Sequence, residues 1–92
     1  MIIRIMGEGQ LSLDEDAVAE LNQLDVALER AVDADDEAAF GPALRTLLER
    51  ARMLGKPLAV DEIAPSDLIL PRDGATMAEV RALLSDDGLI TG

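Results

Sequence analysis

Ninety-two residues with nineteen acids, eight bases and no histidine give a formal net charge of −11, a poor surface for a polyphosphate, so direct nucleic-acid binding is not expected. The chain has no cysteine, which removes disulfides and thiolate metal sites, and without histidine nucleophilic and metal-dependent catalysis lose their usual side chains. Its apolar content is 49%, but fourteen of those residues are alanine and only Phe40 is aromatic, so one small core over residues 1–92 has to be filled by leucine, isoleucine and valine.

The first element is a β-hairpin. Ile2 to Met6 is rich in β-branched residues, Gly7-Glu8-Gly9 is a turn, and Gln10 to Leu13 alternates polar and apolar. Ile3 and Ile5 share one face with each other, as do Leu11 and Leu13, and these four are the natural contacts for a second layer; Ile2, Arg4 and Met6 point the other way. The opening stretch is too short for the apolar region of a signal peptide and no positive charge precedes it. No run approaches the roughly eighteen apolar residues of a membrane span. A soluble cytoplasmic chain is expected.

Asp14 to Leu54 carries two amphipathic helical patterns separated by Asp33-Ala34-Asp35-Asp36. Ala17, Leu21, Leu24, Leu28 and Ala31 recur at steps of four and three, with Val18 and Val32 widening the stripe, and Phe40, Leu44, Leu47, Ala51 and Leu54 repeat the spacing. So short a connection predicts an antiparallel helical hairpin with the two stripes facing each other. Docked in this way, Arg50, Arg52 and Lys56 come beside the acidic start of the first helix, at helix ends that favour each sign. Asp14, or Ser12 with Glu15 in a capping box, starts that helix, and the second starts near Asp35 or Asp36. Gly41-Pro42 predicts a kink or a short separate turn before Ala43, and Gly55 with Pro57 predicts the stop. The hairpin's stripes are too small to offset the ordering entropy of its backbone, so the flanking segments or a partner must complete its core.

Beyond Leu58, prolines 57, 65 and 71 exclude a long helix, and Leu68-Ile69-Leu70 predicts a short strand suited to an edge. Thr76-Met77-Ala78-Glu79 is a capping box opening a short helix with Met77, Val80, Leu83 and Leu84 on its apolar face, ending before Asp87-Gly88. Leu89 and Ile90 add a last apolar pair, as a docked tail or a few residues of strand.

The motifs that invite chemistry have plainer explanations. Asp33-Ala34-Asp35-Asp36-Glu37 lacks the glycine and the terminal glutamate of a calcium loop, whose places are taken by Ala38 and Leu44, and overlapping helix caps account for it. Gly7-Glu8-Gly9 precedes a strand and lacks the third glycine of a phosphate loop. The apolar stripes, at under three heptads each, suit an intramolecular core better than a coiled-coil seam. A catalytic carboxylate pair is conceivable in principle, but the acids fall mostly at helix ends and on solvent faces. No cofactor is expected.

Three segments together carry a family resemblance: Met1-Ile2-Ile3-Arg4-Ile5-Met6-Gly7-Glu8-Gly9-Gln10, Ala19-Glu20-Leu21-Asn22-Gln23-Leu24-Asp25 and Pro65-Ser66-Asp67-Leu68-Ile69-Leu70-Pro71, followed by the ending Gly88-Leu89-Ile90. In this order, over essentially the whole chain, they resemble the PspA-associated protein family, PspAA. These are small proteins of actinobacteria and archaea encoded beside PspA, the coiled-coil protein that protects the inner membrane during envelope stress. The resemblance implies a non-enzymatic accessory or regulatory partner of PspA and supplies no catalytic residues. Gly41-Pro42 departs from the uninterrupted helix such a protein would be expected to have.

The expected architecture is therefore α+β: an N-terminal β-hairpin and a short later strand packed on an antiparallel helical hairpin, with a short C-terminal helix. Partner binding is expected at the outward strand face, Ile2, Arg4 and Met6, or at the proline-bracketed segment around Asp67 and Leu68; the competing expectation is that the C-terminal tail covers Ile2 and Met6. The resemblance points to a PspA-like coiled-coil protein as the partner and to a cytoplasmic location, peripheral to the inner membrane through PspA. An acidic chain without a basic amphipathic helix does not favour direct attachment to anionic lipid. The alternative is a self-associating structural dimer with no PspA contact, built by pairing of the exposed ribbon.

Overall fold

The structure, a computed structural model, describes residues 1–58 and 65–83. Strand β1 (Ile2–Ile5) and strand β2 (Gly9–Ser12) form the predicted antiparallel hairpin, with Ile3 opposite Leu11 and Arg4 opposite Gln10. The Glu8 N–H donates to the Ile5 carbonyl, and Gly7 and Gly9 take φ of 84° and 129°, a region in which side chains are strained.

Helix α1 (Glu15–Asp33) is capped by Asp14, whose carboxylate accepts from the Ala17 N–H at 2.8 Å. Helix α2 (Glu37–Leu54) is capped by Asp36, which accepts from the Ala39 N–H. Between them Asp35 sits at φ 52°, and the Asp36 N–H returns to the Ala31 carbonyl. The helices pack on one another as the predicted hairpin.

Of the kink or short separate turn expected at Gly41-Pro42, the separate turn does not form; α2 is one helix that runs through Pro42. Proline at this point costs one backbone bond, to the carbonyl of Ala38. Both Pro42 and Ala38 are exposed, on the solvent side of the helix where water can replace the lost bond.

Strand β3 (Lys56–Pro57) follows directly and pairs antiparallel with β2, an addition to the expected strands. Gly55 makes this connection possible: a Cβ there would lie 2.8 Å from the Leu11 Cβ and 2.9 Å from the Ala51 carbonyl oxygen. Strand β4 (Leu68–Leu70) is the predicted edge strand and lies parallel to β1. The sheet order is β3-β2-β1-β4, so both edges of the N-terminal hairpin are covered. Helix α3 (Met77–Leu83) packs on α1, and its Thr76 hydroxyl accepts from the Glu79 N–H as the capping box requires. Arg81 ties it down by donating to the Val32 carbonyl at 3.0 Å and pairing with Asp35.

One core joins the layers. Ile3, Ile5, Leu13 and Leu70 from the sheet side meet Leu21, Leu28, Val32, Phe40, Leu44, Leu47, Leu48 and Ala51 from the helices, and Met77 and Val80 close one end. Leu48 widens the predicted stripe of α2, while Leu24 of α1 and Leu54 of α2 lie at the margin of the core, half-buried. Leu83 is exposed. Leu84, the helix end before Asp87 and the pair Leu89 and Ile90 lie outside the described residues.

Candidate protein-docking surface

Strand alternation divides the sheet into two faces. Ile3, Ile5, Leu68 and Leu70 turn toward the helices, with Leu68 half-buried against the core. Arg4 is paired with Ile69 on one side and Gln10 on the other, and these residues point outward. Ile2, Ser12 and Lys56 form the neighbouring outward row. Met6 continues the outward set past the end of β1, held in line by its N–H to the Leu70 carbonyl at 3.1 Å.

This outward face is partly apolar and open. Met6 is 46% exposed and Ile69 47%, Ile2 is half-buried, and Arg4 and Lys56 are exposed. Neither cation forms an ion pair among the described residues, whereas Arg50, Arg52, Arg72 and Arg81 all do. Arg30 and Arg45, on the helices, likewise form none among the described residues, but Arg4 and Lys56 are the two such bases on the sheet's outward rows, where an outside partner can reach them. Val26 and Met53 are also exposed, at 46% and 72%, but they stand on the helices away from the sheet's outward rows.

Asp67 has a different position from the rest of the expected set. Its carboxylate accepts from the Ile2 N–H at 2.7 Å, while its own N–H donates to the Ile2 carbonyl at 2.7 Å. It thereby secures the start of β4 to the start of β1. Ser66 beside it accepts from the Gln10 amide at 2.8 Å, a bond that reaches from β2 past β1. The structure thus brings Ile2, Arg4 and Met6 together, puts Asp67 at their border and turns Leu68 inward. Ile69 joins the face, and it was legible once Leu68 and Leu70 were placed on the inner side. Lys56 was not, because the prolines around it masked a strand.

Several other charges are paired within the fold. Arg50 reaches across the helical hairpin to Glu20 at 2.6 Å, as antiparallel docking predicts. Arg52 turns instead to Glu8 in the hairpin turn, at 2.7 Å, with Asp73 at 3.9 Å, because β3 draws the end of α2 against β2. The hydrogen bonds from these arginines hold the Glu8 and Glu20 carboxyls below their ordinary value, and Arg72 does the same for Glu79. Asp25, an acid within α1, is buried at 3% exposure. Among the described residues no three His, Cys, Asp or Glu side chains converge on a metal-sized site, and no helix is long and apolar enough to cross a membrane. The chemistry this face offers is apolar contact and ion pairing.

Comparison with known proteins gives one result. The family model described as PspA-Associated protein matches residues 1–92, the whole chain. No curated protein and no solved structure gives a match. The match covers the full length, and the chain belongs to the PspA-associated protein family, PspAA.

Proposed function

We propose that this chain acts as a single domain and a non-enzymatic accessory protein of a PspA-type envelope stress response, binding a PspA-like coiled-coil protein through the outward face of its sheet. The family name supplies the association with PspA. The observation that carries the surface is the open cluster of Met6 and Ile69 around Arg4, a cation without a carboxylate among the described residues. Apolar side chains flanking one arginine form the kind of centre that supplies most of the energy in a protein interface. Ile2 and Lys56 extend the face, and Asp67 holds its border. The protein works in the cytoplasm and reaches the inner membrane only through PspA, since an acidic chain is repelled by anionic lipid.

Light scattering after size exclusion tests this, first on the protein alone over a concentration series and then with the PspA homologue from the same organism. A stable complex that Arg4→Glu weakens, with the variant still folded, supports the proposal. A homodimer that ignores PspA supports the alternative of self-association, and a complex indifferent to Arg4→Glu and Met6→Asp places the interface elsewhere.

A further inference from the structure

A second surface lies where β1 begins, β2 ends and α1 starts. There an open groove of about 540 Å³ is lined by Met1, Leu13, Val18, Ala19 and Asn22, together with Asp14 and Glu15. The lining is mostly apolar, and Met1 remains 40% exposed. Asp14, Glu15 and the adjacent Asp16 form no ion pair among the described residues. Three carboxylates outweigh the positive end of α1, worth roughly half a charge, together with the Met1 nitrogen that donates to the Leu13 carbonyl at 2.9 Å.

We propose that this groove docks a basic amphipathic helix of a partner protein, one apolar side chain resting on Met1, Leu13 and Val18 and its Lys or Arg side chains against Asp14 and Glu15. Charge selects that occupant. The groove is negative and so is the chain as a whole, at −11, so a basic segment is attracted at long range and paired at the groove. The same charge repels an acidic peptide, an anionic membrane and a second copy of this chain. The groove is also too open to enclose most of a small apolar ligand. Its occupant differs in charge from one suited to Arg4 and Lys56, so the two surfaces can be engaged separately.

The test is a heteronuclear NMR titration of the full chain with two synthetic peptides of identical leucine and lysine content, one with the two residue types segregated on opposite helix faces and one scrambled. The segregated peptide is expected to shift the signals of Met1, Val18 and Ala19, to bind more tightly than the scrambled one, and to weaken as salt is raised. Glu15→Lys should reduce its affinity about fivefold, the scale of one exposed ion pair. Ala19→Arg, which adds bulk and a like charge at an exposed position, should reduce it at least as much. Equal binding of both peptides, shifts confined to Asp33–Glu37, or wild-type affinity in both variants would overturn the proposal. The comparison of peptides on the unmodified protein decides the question even where a variant fails to fold.

Discussion

Ile2 and Ile3 are adjacent and chemically identical, yet Ile3 is fully buried beneath the helices while Ile2 lies half-open on the other side of the same strand. The difference extends across the sheet. The inner face, Ile3, Ile5, Leu68 and Leu70, is enclosed by two long helices, and its contribution is to stability. The outer face, Ile2, Arg4, Met6 and Ile69, has similar apolar content but no layer among the described residues that hides Met6 and Ile69. Side-chain type alone therefore does not separate structural from available surface here. The period of two along β1, combined with the position of the helices, does.

Substitutions on the two sides should separate stability from binding. Leu47→Ala, at a fully buried position of α2, should cost about 3 kcal/mol in urea unfolding, whereas Ile69→Ala should stay within about 0.5 kcal/mol and show its effect only in PspA binding. Equal destabilisation by both would erase the distinction. Gly55→Ala should cost about 1 to 3 kcal/mol, since its Cβ would press on the Leu11 Cβ and the Ala51 carbonyl where helix and sheet are closest. A neutral melting temperature would show that the junction can yield. Asp36→Ala removes a cap that stands apart from either face and should cost about 1 kcal/mol without altering partner binding.

The smallest effect is electrostatic. Glu8, Glu20 and Glu79 have folded pKa values lowered from 4.5 by their arginine partners, so the unfolded chain binds more protons as the solution becomes acidic. Their stabilisation is present above pH 4.5 and is lost as pH falls through the lower folded values. Denaturation midpoints across that window should fall less steeply in a Glu8→Gln, Glu20→Gln double variant. An unchanged slope would mean that these exposed pairs contribute nothing measurable.

Strong local signals carried most of the fold into the sequence. The two helical stripes, the caps at Asp14 and Thr76, the Gly7-Glu8-Gly9 turn and the proline-bracketed strand at Leu68 each depend on neighbours within a few residues. What depended on distant packing was hidden. Lys56-Pro57 becomes a strand only because β2 lies beside it, Arg52 leaves α1 for Glu8 as a result, and Asp25 is buried although it is an acid. Proline's tolerance within α2 likewise reflects the solvent exposure of Ala38 and Pro42, which spacing does not reveal. For the candidate surface, alternation placed Ile2, Arg4 and Met6 together, whereas assigning Leu68 to the core and Ile69 to the outside required the register of β4 against β1.

The most direct measurement of the outer face as the PspA contact is a methyl NMR titration of this protein with its PspA homologue, following the isoleucine and methionine methyl groups. The account predicts that Ile2, Met6 and Ile69 shift or broaden while Ile3 and Ile5, on the same sheet but beneath the helices, do not. Changes confined to Met53 on the outside of α2, with the three sheet methyls unmoved, would contradict it.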